Sequence, residues 1–341
     1  MRRMKTLAAA AAIVLAGLAV AQPVLADSDT APADYAKALN GKRVILIPLA
    51  MGFDLAQGWA AILKREVTAF GGTFETRDPN WSTEAGAQAI TEAISSSPRP
   101  DVLVVMAPDL NSYTRILKKA QDAGIFVLLI DNPANFKADT YMGSDWTKLG
   151  ALEAGAAVEA CGEGTSKKIG LVQGDEVNAT SIFQYEGIMN VINQHPDLKV
   201  VAKPVSNWDP TTSRTVTATM LQQNPDLCAI IDFWDGDATG AAAAIRDANL
   251  QGKVKLITTG GGEKSADCDM LENGTYDAVV MTELPKEAGD MVAMIKYLLQ
   301  TGMKPGSYTA HLYTLEQATT KANMRPDSCW DLKALQAMAG N

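Results

Sequence analysis

From Arg43 onward the apolar residues follow two rhythms that take turns. Short runs that are apolar almost throughout, "RVILIPL" (43–49), "DVLVVMA" (101–107) and "IFVLLID" (125–131), have the β-branched content and length of buried strands. "TFETRD" (73–78) adds a more polar strand. Between these runs, Gln57 to Phe70, Thr83 to Ser95 and Ser112 to Ala123 place apolar residues three and four apart, as helices do. Gly71-Gly72 and Gly124 stand where the first and third of those helices stop. After a helix over Leu149 to Ala160 the alternation restarts. "KKIGLVQG", "KVVAKPV", "CAIIDFW", "VKLITTG" and "DAVVMTE" read as strands, and Ser181–Gln194, Thr211–Gln223 and Thr239–Ala248 as helices.

Strands that are apolar on both faces and separated by helices predict parallel sheets covered on both sides. Two such series predict an α/β protein of two similar lobes, each a parallel sheet flanked by helices. A chain of 341 residues with 47% hydrophobic residues is long enough to bury two cores. Open parallel sheets bind ligands beyond the carboxyl ends of their strands. The residues at those ends are Met51, Phe53 and Asp54; Asp78, Asn80 and Trp81; Pro108 and Asp109; Asp131 and Asn132; Asn178 and Phe183; Trp208 and Asp209; Trp234 and Asp235; Gly260 to Gly262; Thr282 and Glu283. Aromatic, carboxylate and amide side chains dominate, with neither lysine nor arginine among them.

The first 26 residues stand apart. Arg2, Arg3 and Lys5 precede an apolar run from Leu7 to Ala21 and a small-residue site ending at Ala26, the layout of a secretory signal peptide. The run is too short for a membrane span and meets Pro23. Removing three basic residues from 30 leaves 27 against 39 acidic, a net charge of −12 that disfavours nucleic acid and anionic membrane surfaces as partners. In an exported chain the four cysteines, Cys161, Cys228, Cys268 and Cys329, are candidates for disulfides. Three pairings are possible. Cys161 precedes one strand and Cys228 opens another, which favours 161 with 228 and 268 with 329. No CxxC occurs, and His195 and His311 are far from any cysteine, so neither a metal nor any other cofactor is expected.

In order and spacing, "VILIPLAMGFDLAQGWAAILKREVTAFGG", "PDVLVVMAPDLNSYTRILKKAQDAGIFVLLIDN", "YMGSDWTKLG", "NPDLCAIIDFWDGDATGAAAAI", "MTELPKEAGDMVAMI" and "TLEQATTKANM" resemble the periplasmic sugar-binding proteins of ABC importers, in the group similar to ribose-binding protein. The resemblance implies a type I fold with three hinge crossovers. It implies an N-lobe of 27–144 plus 284–309, a C-lobe of 145–283 plus 310–341, and a monomer that delivers its ligand to a membrane permease. The family's aromatic in the first loop falls near Phe53, its Asp after the fourth strand on Asp131, its C-lobe aromatic on Trp208, and its late Gln near Glu283. Departures are as telling. The Arg after the fourth-strand Asp is Asn132; the Arg at the start of the helix near Ser181 is replaced by Ile182 and Phe183; an amide is replaced by Trp234; and a later Asp is lost in Gly260-Gly261-Gly262. The ligand implied is therefore a sugar other than ribose.

Carboxylates and amides bond sugar hydroxyls, and flat rings cover the C–H faces. Asp54, Asp131, Asn132, Asn178, Asp235 and Glu283 supply the first need; Phe53, Trp208 and Trp234 the second. Without Arg or Lys an anionic ligand is disfavoured, which leaves a neutral sugar or polyol as the main expectation. A cationic or aromatic small molecule is the alternative ligand, and presentation to a chemoreceptor or histidine kinase the alternative role. Trp81 and Trp146 stand evenly between ligand contact and packing, Asp237 reads as an N-cap for the helix from Thr239, and Trp59 as core. Enzymatic readings fare poorly: "TTGGGEKS" lacks the Gly-Lys-Ser/Thr of a phosphate loop, and no GxSxG occurs.

Overall fold

The computed structural model describes residues 31–340; the predicted leader lies outside them. A short helix α1 (Ala31–Lys37) is followed by β1 (Arg43–Ile47), α2 (Asp54–Ala69), β2 (Thr73–Thr76), α3 (Thr83–Ser95), β3 (Val102–Val105), α4 (Thr114–Asp122), β4 (Phe126–Ile130) and β5 (Thr140–Gly143). The second series runs α5 (Trp146–Ala160), β6 (Lys168–Val172), α6 (Ala179–Ile192), β7 (Lys199–Ala202), α7 (Pro210–Gln223), β8 (Ala229–Asp232), α8 (Asp235–Asp247) and β9 (Lys255–Gly260). A π-helical turn (Lys264–Cys268) leads into α9 (Asp269–Glu272), then β10 (Ala278–Met281), α10 (Leu284–Gln300), β11 (Ala310–Tyr313), β12 (Gln317–Thr319) and α11 (Leu332–Met338).

Two six-stranded sheets result, ordered β2-β1-β3-β4-β5-β11 and β7-β6-β8-β9-β10-β12. Every pairing is parallel except β10 with β12. The runs that are apolar, or apolar but for the buried Asp232 that ends β8, are central strands: β3, β4 and β8 are buried at every position because helices cover both faces. Each sheet separates two apolar clusters. Val44, Leu46, Val104 and Leu128 pack on one side of the N-lobe sheet, and Ile45, Ile47, Leu103 and Val127 on the other. In the C-lobe, Ile230 and Leu256 face one cluster, Ile231 and Ile257 the other. This is the period-two alternation of a strand buried on both faces. Helix starts are capped by the polar residues that close the loops: Ser82, Asp145, Asn178, Asp209 and Asp331 each accept a backbone N–H from the first turn. Helices α5 and α6 approach closely enough that a Cβ on Gly187 would overlap the carbonyl oxygen of Thr147.

Cys161 bonds Cys228 and Cys268 bonds Cys329, the favoured pairing. Helix α8 starts at Asp235, four residues before the expected Thr239, with Trp234 at the cap. Asp237 is thus inside the first turn, buried, and hydrogen-bonded to the Ser206 hydroxyl instead of capping a helix. The lobe boundaries also move. β11 (310–313) joins the N-lobe sheet beside β5, so the third crossing lies between Tyr313 and Gln317. Its residue Glu316 ties this crossing to the first, accepting from the Asp145 backbone N–H at 2.9 Å and from Lys148 Nζ at 3.0 Å. After β12 the chain crosses a fourth time. Cys329 is bonded into the C-lobe, but Trp330 and Leu335 belong to the N-lobe core, and α11 packs on α2. Tail burial overrides the expected assignment because Gly58 of α2 leaves room for the Trp330 ring, 3.0 Å from where a Cβ would stand.

Candidate functional site

In both sheets the strand order reverses beside the first strand, and the lobes face each other across those switch points. Phe53 caps α2 and Trp234 caps α8, placing one ring from each lobe at the mouth of a helix, their centroids 6.0 Å apart. Trp81 and Trp208 come from equivalent loops, after β2 and after β7. Each follows an asparagine, and Asn80, Trp81, Asn207 and Trp208 all have φ between 49° and 65°. Tryptophan rarely adopts this left-handed conformation, which costs about 1 kcal/mol or more per residue. The strain is tolerated where the turn swings an indole into the cleft. Trp81 reaches Phe53 (5.6 Å) and Trp234 (6.0 Å), and Trp208 meets Trp234 at 6.3 Å. The Trp208 Nε1–H donates to Asp175 at 2.8 Å, which fixes the ring.

Behind these rings lies a cavity of about 600 Å³, its open mouth included, lined also by Leu49, Met106, Asp131, Asn132, Trp146, Asn178 and Thr282. Asp131 ends β4 with φ 60° and is 7% exposed. Its carbonyl is held by Tyr141 Oη–H at 2.9 Å and Trp146 Nε1–H at 2.7 Å. Its carboxylate has no hydrogen-bond or ion-pair partner among the described residues, and burial lifts it to about 7. Asn132 donates through Nδ2 to the Ala107 carbonyl at 2.7 Å, leaving Oδ1 buried and unpartnered. Asn178 caps α6 with its oxygen and donates across the cleft to the Pro108 carbonyl at 2.9 Å. That bond joins the two lobes directly.

On the far side of Phe53 and Trp234 is a second chamber, lined by Asp54 and Asp235. Three carboxylates converge there from both lobes. A Cβ on Gly260 would fall against both Asp267 oxygens and 2.7 Å from Asp235 Oδ2, and one oxygen on each of Asp54, Asp235 and Asp267 is buried without a partner. Burial first, then the Asp54 charge, pushes Asp267 up to about 8; Asp235 is raised strongly by burial and by Asp267; Asp54 rises to about 6 through burial and Glu263. No lysine or arginine lines either chamber. Among the described residues no group of three or more His, Cys, Asp or Glu is arranged to hold a metal.

Of the residues expected at the ligand, Phe53, Asp131, Asn132, Asn178, Trp208 and Trp234 meet around the first cavity. Asp54 and Asp235 occupy the second chamber. Two lie elsewhere. Glu283 is solvent-exposed, 3.8 Å from Lys286, and its neighbour Thr282 faces the cavity instead. Phe183 lies beyond Trp146 in a separate hollow with Tyr141, His311 and Tyr313. Trp81 and Trp146, evenly weighed from sequence, both line the cleft. Asp267 escaped notice because a π-helical turn, not a strand end, carries it. A signal for the paired indoles was present: the dipeptide Asn-Trp occurs twice, once per lobe.

Two parallel-sheet α/β lobes closed on a ring-lined cleft define a bilobed solute-binding protein of the type I class. The chain belongs to the family of the periplasmic binding protein domain, whose sequence model matches residues 44–304. It is 28% identical over 164 residues to a D-ribose/D-allose-binding protein of Pseudomonas aeruginosa, covering 46% of this chain and 50% of that protein. It is 26% identical over 224 residues to a D-apiose import binding protein of Actinobacillus succinogenes, covering 63% and 68%. The chain thus spans half to about two thirds of the length of these relatives. In fold it matches the crystal structure of an ABC transporter solute-binding protein from Burkholderia graminis in complex with D-arabinose, with a TM-score of 0.75 at 18% identity over 84% of this chain and 98% of that one.

Proposed function

We propose that the protein is a periplasmic receptor of an ABC importer that captures a small sugar or polyol without an anionic group between its lobes and presents the closed form to a membrane permease. The observation that carries this reading is the interlobe cavity itself. Phe53 and Trp81 from one lobe and Trp208 and Trp234 from the other surround a floor of Asp131 and Asn132, which suits a solute with apolar C–H faces and a hydrogen-bonding edge. The relatives named for sugar binding and import support it. No helix among the described residues is long and apolar enough to cross a membrane.

A thermal-shift screen of the purified protein against aldoses, ketoses and polyols tests the reading. A ligand at 100 times its dissociation constant adds about 2.7 kcal/mol of stability, readily seen as a rise in Tm. A flat response across the whole sugar and polyol set refutes it.

A further inference from the structure

The cavity presents ring faces and unpartnered acceptors. Several of its polar hydrogens are consumed within the protein, although among the described residues the indole N–H groups of Trp81 and Trp234 and the Thr282 hydroxyl are not. The indole N–H of Trp146 goes to the Asp131 carbonyl and that of Trp208 to Asp175. Asn132 Nδ2 goes to Ala107, Asn178 Nδ2 to Pro108, Thr180 Oγ1 to Asn178, and Thr259 Oγ1 to the Val280 carbonyl. Asp131 and Asn132 Oδ1, by contrast, accept nothing from the described residues. A neutral hydroxyl both donates and accepts, whereas an ammonium group only donates, which is what a buried carboxylate and amide oxygen without donors of their own call for. The charge balance points the same way. Asp131 is 93% buried, and the walls around it offer π faces rather than a cation. A buried carboxylate without a counter-charge is costly, and a ligand cation relieves that cost where a hydroxyl does so only in part.

We infer that the ligand carries a cationic amine, seated on the Asp131 carboxylate and enclosed by the Phe53, Trp146 and Trp234 rings, with the rest of its carbon frame against Trp81 and Trp208. Ring faces attract such a cation as well as packing on it. The elevated proton affinity of Asp131 supports the assignment, since a group titrating near neutrality is readily ionised by an arriving positive charge. The inference rests on the receptor reading and narrows its ligand class to amine-bearing members.

Calorimetric titrations at pH 8 with pairs in which a nitrogen cationic at that pH replaces a neutral group test it: ethanolamine against ethylene glycol, N-methylglucamine against sorbitol, and choline against 3,3-dimethylbutan-1-ol. The expected result is that in at least one pair the cation binds at least about tenfold tighter, the worth of one charge-assisted contact. Asp131→Asn, which removes a buried unpaired charge and should fold at least as well, is expected to abolish that preference. For choline, whose charge does not titrate, affinity should also fall as pH drops from 8 to 5 and Asp131 takes up its proton. If the neutral member binds as well or better in every pair, the amine inference is overturned and the sugar receptor stands. A preference that survives in Asp131→Asn overturns the assignment to this carboxylate. Binding of none of the six, in a protein that binds a neutral sugar from the wider screen, overturns the amine alone; silence from that screen too overturns both.

Discussion

Replacing Asp267 by asparagine should make the protein more stable in mild alkali and flatten its pH profile. Asp267 sits on the π-helical turn with no solvent exposure, accepts the Gly262 backbone N–H at 2.7 Å, and faces Asp235 and, across the cleft, Asp54. Burial and those charges raise it from 3.8 to about 8. The native state therefore holds a proton that the unfolded chain has released, so stability is fully present below about pH 4 and is lost as pH rises towards and through 8. At about 1.4 kcal/mol per pKa unit the loss reaches about 5 kcal/mol by pH 8, an upper bound because the acids share their protons. The amide in Asp267→Asn would keep the acceptor for Gly262 and offer an N–H to Asp235, without a charge to bury. Recovering half of the loss, about 2 to 3 kcal/mol, corresponds to a rise in Tm of about 5 °C at pH 8 for a chain of this size, shrinking to about 1 °C near pH 4.5. Differential scanning calorimetry from pH 4.5 to 8.5 decides the matter. Parallel Tm profiles for the two proteins would show that this carboxyl is ionised in the native state and that the reasoning from burial is wrong.

Three further outcomes are expected. Gly236→Ala would put a methyl group 2.5 Å from the Trp234 ring, displacing the indole, and should weaken binding of whichever ligand the screen identifies by about tenfold or more with little change in Tm; unaltered affinity would remove Trp234 from the site. Gly187→Ala, with its Cβ against Thr147, should cost about 3 kcal/mol or more in urea unfolding, and a loss below about 1 kcal/mol would mean that α5 and α6 can separate freely. Cys268→Ser with Cys329→Ser should cost about 4 kcal/mol from the freed 61-residue separation, measured as a lower midpoint of unfolding, whereas an unchanged midpoint would mean the tail is held by Trp330 and Leu335 alone.

Where a strand is central, its apolar run makes it legible. β3, β4 and β8 are buried on both faces, so nearly every residue advertises the fold, and the rule placing ligands beyond strand ends then finds Phe53, Asp131, Asn132, Asn178, Trp208 and Trp234. Edges are harder to read. "AHLY" of β11 is half-buried in alternation and three residues separate it from β12 in the other lobe, so nothing local says which sheet takes it. A one-residue error arises where β10 gives way to α10: Thr282 lines the cavity, while Glu283 at the helix cap is exposed. Phe183 fails for a helical reason. It lies five residues beyond the Asn178 cap, well round the α6 axis from the cleft. The left-handed tryptophans belong to a third kind, since their orientation depends on a strained turn that only the assembled loop imposes.

The fourth crossing also bears on how the molecule comes into being. The N-lobe is assembled from three stretches separated by the C-lobe, and its core stays open until Trp330 and Leu335 have been made and threaded back. The C-lobe is almost continuous from 145 to 281 and has nearly all of its sheet long before then. A chain emerging from its amino end would therefore carry its first lobe unfinished for almost the whole of synthesis. That delay keeps the leading lobe pliable until the trailing segment arrives to seal it.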